Sequence, residues 1–386
     1  MPRFNPILDE LRTYPAVAID QRKAELLAEG RTVFDFGKGD PEEPPPEEAR
    51  QALIDAIAPR MPYPRVLGSE EVRQAISAYM RRRFGVTLDP ATQIVPTSGS
   101  KEAVFHMPLM VIERDAPDRG VVFPDPGYPA YQRGALFAGA EAIAVQLSGD
   151  HILRPWTLPD AVVERTRLIW LNSPHNPSGA VMSLSDLQRA ADFCRERDIL
   201  LVSDETYADI YHSAPPHSLL ECGTDGVLVL HSLSKRSGMT GYRSGFVAGD
   251  AAIMARLRAL RTNPGLVPSD FVNAAAVAAW SDDEHSAERR VIFRQKKKLF
   301  LDFFDSLDVD VVGREASLYL WVKVPGGDDE VYAQRLLDEG IVVSPGRMFG
   351  VAGAGVGYIR IAMVPTLYEC KAAIAAWKNM EETWKR

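Results

Sequence analysis

The side chain best placed for covalent chemistry is Lys235, within residues 227–249, VLVLHSLSKRSGMTGYRSGFVAG. Residues 227–230 are apolar without alternation and too few for a buried helix, which predicts a strand covered on both faces. Such a strand delivers Lys235 inward at its end. Ser232 and Ser234 flank the lysine, Gly238, Gly241 and Gly245 keep the following backbone free of bulk, and Arg243 stands eight residues on. The plain alternative is a solvated lysine near a strand end. Two chemistries compete with it. Ser232-Leu-Ser-Lys235 fits the S-x-x-K arrangement of serine acyl-enzymes, but the S-D-N and K-T-G elements that chemistry needs do not occur in this sequence. The other is a Schiff-base lysine holding pyridoxal phosphate, with Arg243 on the phosphate. That reading requires partners elsewhere in the chain.

Candidates stand at the ends of other apolar runs. Residues 200–203 lead to Asp204-Glu-Thr-Tyr207, where the carboxylate is either a helix N-cap or the acid that keeps a pyridine nitrogen protonated. Residues 168–171 lead to Asn172-Ser-Pro-His-Asn176-Pro-Ser-Gly, a turn whose amide could hydrogen-bond a phenolic oxygen. Pro126-Gly-Tyr128-Pro follows residues 120–123 and offers a ring for stacking. Thr97-Ser-Gly99-Ser100-Lys101 opens an apolar helix, so its free N–H groups suit a phosphate or carboxylate, or only a serine cap. Arg360 lies in the strand 358–362, where a buried guanidinium without a partner is costly and a substrate carboxylate would supply one.

The elements that must position these groups follow a rhythm. A helix is predicted over 16–29, a short strand over 33–36, then a stiff crossing through Gly37-Lys-Gly39-Asp-Pro and EEPPPEE. Helices over 46–58 and 69–84, the second opened by Ser69-Glu70, enclose an irregular segment around Tyr63. Strands at 93–96, 120–123, 142–145, 168–171, 200–203, 227–231 and 246–248, joined through helical stretches such as 183–197, predict an α/β fold. Its three-layer α/β/α large domain has a mostly parallel sheet, with ligands at the carboxyl ends of the strands. From about residue 284 a long charged helix breaks the rhythm and leads into an α+β tail. The domain reading is 46–284 for the large unit, with 1–45 and 285–386 forming the smaller one.

The formal net charge of −8 argues against nucleic acid or an anionic membrane as a general partner. Three separated cysteines suggest neither a disulfide framework nor a zinc site and fit a reducing cytoplasm. The opening MPRFNPILDELRTYP has no continuous apolar stretch, so no secretory signal is expected. The sequence contains no H-E-x-x-H, Walker loop or G-x-G-x-x-G, and no metal is expected.

Taken together, the S-x-S-K motif with its arginine, the N-P-[ST]-G turn and the S-D-E-x-Y strand end resemble, in order and spacing, the fold-type I pyridoxal-phosphate aminotransferases of class I/II. The resemblance spans essentially the whole chain. Within that family GSKEAVFHMPL, PDPGYPAY, HSLSKRSGMTGYRSGF and ASLYLWVKVP look most like the diaminopimelate branch, acting on the succinyl or the free LL form. It implies that Lys235 carries the cofactor and shuttles a proton, Asp204 pairs with its ring nitrogen, and Asn176 and Tyr207 contact its ring oxygen. Tyr128 would stack on the ring, and the Gly99–Lys101 turn, Ser232 and Arg243 would hold the phosphate. Gly39, Arg360 and Asn176 would orient the substrate carboxylate, with glutamate and 2-oxoglutarate as one half-reaction. Tyr63 would reach the phosphate of a neighbouring subunit, implying a homodimer. Tyr242, Asp40 and Ser178 depart from commoner tryptophan, glutamate and threonine. Other amino-acid specificities, a C–S β-lyase and a non-enzymatic sensor are the alternatives. Arg256, Arg258 and Arg261 read better as a solvated helix face than as a distal-carboxylate site.

Overall fold

The computed structural model describes residues 2–10, 16–351 and 353–384; residues 11–15, within the opening segment, lie outside it. Seven strands form the central sheet: β1 (Ile94–Thr97), β2 (Gly120–Asp125), β3 (Glu141–Gln146), β4 (Thr166–Asn172), β5 (Leu200–Asp204), β6 (Val227–Ser232) and β7 (Gly245–Gly249). Their spatial order is β1-β7-β6-β5-β4-β2-β3, all parallel except β7, which is antiparallel to both neighbours.

The non-alternating runs are explained by the two cores. Leu168, Trp170, Leu200, Val202, Leu228, Leu230 and Val247 face one core, while Ile169, Leu171, Leu201, Val227, Val229, Phe246 and Ala248 face the other. Both faces are apolar because helices cover both. The ladder runs past the apolar residues, so Asp125, Asn172, Asp204 and Ser232 are themselves strand-terminal. Asn172 lies beside Asp204 across β4 and β5, and Thr97, Gly245 and Ser232 share one row across β1, β7 and β6. Lys235 sits just beyond, in the helical turn Leu233–Arg236 rather than on the strand.

Some elements differ from the sequence reading. Helices Ala130–Ala138 and Asp270–Ser281 had no predicted bounds, because small residues blur their periodicity. Beyond helix Glu284–Ser306, strands Val311–Val312, Tyr319–Lys323, Ser344–Pro345 and Tyr358–Ala362 make a four-stranded sheet, and Phe34–Asp35 pairs with Ile341–Val342. A separate core of Phe36, Phe300, Phe304, Leu320 and Trp377 packs here.

Asp209 fastens the lysine turn to the segment after β5. It meets Arg236 Nε at 2.8 Å and Arg83 Nε at 2.9 Å and accepts from the Tyr79 hydroxyl at 2.9 Å. Burial alone would raise its carboxyl, but the two guanidinium groups outweigh this and hold it at about 2. A buried pair broken on one side strands a charge, so Asp209→Ala is expected to destabilise the protein by about 3 to 5 kcal/mol in urea unfolding. With a folded pKa below the usual aspartate value, this stabilisation is full above about pH 4 and lost as pH falls towards about 2. Asp209→Asn should flatten the stability profile in that window.

Candidate active site

The strand ends and the Gly37–Gly39 turn enclose a cavity of about 390 Å³. Lys235, Asp204, Tyr207, Ser100, Lys101, Tyr128, Asn176, Ser232, Arg243, Gly39 and Arg360 all line it. Gly99 stands behind this lining against Arg243. Tyr63 is 100% exposed and lies outside the cavity.

Asp204 is buried at the end of β5. One carboxylate oxygen accepts from the Tyr131 hydroxyl at 3.0 Å and the other from Thr206 N–H and Oγ1 at 3.2 and 2.7 Å. It thus caps its local turn as well as facing the cavity. Burial raises its carboxyl despite these hydrogen bonds, so a cation facing it from the cavity would stabilise the anion. Lys235 Nζ donates to the Gly39 carbonyl, and burial pushes its ammonium down, favouring a neutral, nucleophilic amine.

At the other wall Arg360, 7% exposed, donates to Asn176 Oδ1 at 3.0 Å and to the Gly37 carbonyl at 2.7 Å. Its Nε has no partner among the described residues, and it lies over the rings of Tyr319 and Phe349 at 4.3 and 4.5 Å. A guanidinium so placed suits a planar carboxylate. The Tyr207 hydroxyl, raised by burial, lies 3.2 Å from that of Tyr319.

The third corner is an anion cradle. Ser232 caps the lysine turn by accepting from Ser234 N–H at 3.1 Å, and the Thr206 hydroxyl reaches Ser100 Oγ at 3.3 Å. Gly99 has φ +79°, and a Cβ there would stand 2.5 Å from an Arg243 nitrogen. At Gly245 a Cβ would stand 2.5 Å from the His231 carbonyl oxygen and 3.2 Å from both the Ser100 nitrogen and Thr97 Oγ1, so β7 passes only without a side chain.

Several contributors escaped the sequence reading. Tyr131 falls within the PDPGYPAY stretch and Thr206 between two chosen residues, yet nothing local marks either as a carboxylate partner. Tyr319 announces itself only by its strand. Arg261 corrects the solvated-face reading: with Met254 and Leu257 it forms the buried stripe of helix Ala251–Arg261 and pairs with Glu102. Glu102 in turn accepts from Ser98 N–H at 3.1 Å, so this ion pair braces the Gly99–Lys101 turn.

A desolvated lysine, a buried acid lining the same cavity, an anion cradle and a carboxylate-ready arginine fit a phosphorylated pyridine aldehyde with an amino acid beside it. The chain belongs to the aminotransferase class I and II family, whose model matches residues 31–376. It is a pyridoxal 5′-phosphate-dependent transaminase, exchanging amino groups between amino acids and 2-oxo acids. Among curated relatives, LL-diaminopimelate aminotransferase of Aquifex aeolicus is 34% identical over 377 residues, covering 95% of this chain and 96% of the relative. The crystal structure of an aminotransferase from Neisseria meningitidis superposes with a TM-score of 0.90 at 30% identity, covering 98% and 100% of the two chains. A probable N-succinyldiaminopimelate aminotransferase from Thermus thermophilus gives 0.87 at 27% identity, covering 94% and 99%. No helix among the described residues is long and apolar enough to cross a membrane.

Gly99→Ala combines a left-handed backbone position with a clash on Arg243. Its dissociation constant for pyridoxal phosphate, read by absorbance titration, is expected to rise by at least about tenfold, which corresponds to about 1.4 kcal/mol.

Proposed function

We propose that this protein reversibly exchanges the amino group between LL-diaminopimelate and 2-oxoglutarate, a reaction that runs from glutamate towards LL-diaminopimelate in lysine biosynthesis, as its named relatives suggest. The observation that carries the reading is the pairing, in one cavity, of a desolvated Lys235 with an Arg360 whose Nε is unsatisfied. Pyridoxal phosphate, when bound, supplies an electron sink for the carbanion formed at the substrate's Cα. The chain's own groups do the rest. Arg360 and Asn176, with the backbone at Gly39, fix the α-carboxylate so that the Cα–H bond faces Lys235, whose Nζ takes the proton and returns it. Asp204, braced by Tyr131 and Thr206, would hold a proton on the cofactor's ring nitrogen. Asn176 and Tyr207 would face the ring oxygen, Tyr128 would stack on the ring, and the Gly99–Lys101 turn, Ser232 and Arg243 would bind the phosphate.

The reading includes a homodimer in which Tyr63 completes the partner's phosphate site. Its full exposure, beside exposed Ile54, Ile57 and Met61, supports a surface made for a second copy. Residues 46–284 would form the cofactor-binding domain, with 1–45 and 285–386 the smaller one. The separate cores around β4–β6 and around Phe300 and Trp377 support this division. Buried, unpaired Cys194, Cys222 and Cys370 are compatible with the cytoplasm.

A spectroscopic half-reaction screen of cofactor-loaded protein tests the reading: LL-diaminopimelate and glutamate should each convert the bound cofactor to its amine form. Release of pyruvate and ammonia from cystathionine without any acceptor would replace it with a C–S lyase. Lys235→Ala should abolish amino-group cycling, and cycling at the wild-type rate would refute the assignment. Arg360→Lys loses the planar fork, so KM for amino donors should rise by about tenfold or more with a smaller change in kcat.

A further inference from the structure

The cavity that holds Lys235 and Arg360 is also lined by Ile19, Asp20, Asp35 and Lys38. These residues come from helix Ala16–Ala28 and from Phe34–Asp35 and the turn after it, and this part of the lining carries two ion pairs. Lys23 Nζ meets Asp35 Oδ2 at 2.6 Å, and Asp35 Oδ1 also accepts from Gly37 N–H at 2.9 Å, so Asp35 is committed to shaping the turn. Asp20 and Lys38 are held less firmly. They join through one contact of 2.8 Å, and their side chains stay 48% and 59% exposed although both line the cavity. A pair this exposed contributes little and opens readily. A ligand bringing a cation to Asp20 and an anion to Lys38 exchanges one weak contact for two charge-assisted ones.

We propose that Asp20 and Lys38 read the far end of the amino donor, and that this far end is a free amino-acid group carrying both an ammonium and a carboxylate. The proposal rests on the transaminase reading above and deepens it. Ile19, Val342, Val343 and Met348 line the same cavity and supply an apolar wall suited to the methylene chain between the two ends. A donor whose far amine is acylated offers Asp20 no cation and brings a surplus anion against it. The wall therefore selects the free diamino dicarboxylic acid over its N-succinyl derivative.

The test uses cofactor-loaded dimer or monomer as purified, with affinities read from the cofactor's absorbance so that analogues that bind without reacting still count. Four ligands isolate the two charges: LL-diaminopimelate has both, L-lysine only the far ammonium, L-2-aminopimelate only the far carboxylate, and L-2-aminoheptanoate neither. Asp20→Asn should reduce the preference for lysine over aminoheptanoate by about tenfold, and Lys38→Met the preference for aminopimelate over aminoheptanoate by a similar factor. Both should weaken LL-diaminopimelate. An equal loss for all four ligands would mean that the pair merely straps the helix to the turn and would overturn the proposal, as would unchanged preferences. Wild-type preference for N-succinyl-LL-diaminopimelate over the free acid would also overturn it. The wild-type half-reaction with glutamate, which does not depend on this wall, reports separately on the transaminase reading.

Discussion

An acid and an amine must share one cavity without neutralising each other. Had Asp204 and Lys235 met, each would have consumed the charge or lone pair the other needs. The sheet prevents this by spacing them along its edge: Asp204 ends β5, whereas Lys235 follows the neighbouring β6 by a helical turn. Each is then given neutral company. Tyr131 and Thr206 occupy the oxygens of Asp204, and Lys235 points to the Gly39 carbonyl. Dipoles hold both groups in place while leaving their electrostatic demands to whatever enters the cavity.

That separation depends on a frame whose parts differ in how visibly they are written. The central sheet was legible because strands buried on both faces lose their alternation, and their polar end residues stand out against the apolar runs. Lys235, Asp204, Asn176 and Tyr128, which all line the cavity, stood out in this way, each within a few residues of a predicted strand end. Their supports were not. Tyr131 reaches Asp204 across 73 positions, and Arg360 reaches Asn176 across 184. Local spacing carries no record of such pairings. Arg261 was misread for a related reason: a charged residue three or four places from apolar ones reads as the edge of a helix face until the sheet beneath it is known. The strand Ser344–Pro345 is too short to leave any periodic trace, although it places Ser344 beside Arg360.

The site lies along a seam between cores. Tyr207 and Ile210, which follow β5, pack with Phe293, Leu318, Tyr319 and Ala362 from the carboxyl-terminal half. Tyr207 and Arg360 therefore owe their positions to both halves, and the hydroxyl contact of Tyr207 with Tyr319 bridges them. The crossing at 37–44 closes the same seam. Arg360 holds the Gly37 carbonyl, Lys235 that of Gly39, and Arg289 those of Glu43 and Pro44, while Lys296 pairs with the Glu43 side chain.

Because that crossing is tethered mostly by its main-chain oxygens, its route is nearly independent of which side chains it displays. Position 38 in particular can drift under selection without disturbing the course of the chain around it. A lineage could thus retune which molecules it accepts through single changes on this ribbon, leaving the reactive centre beneath untouched.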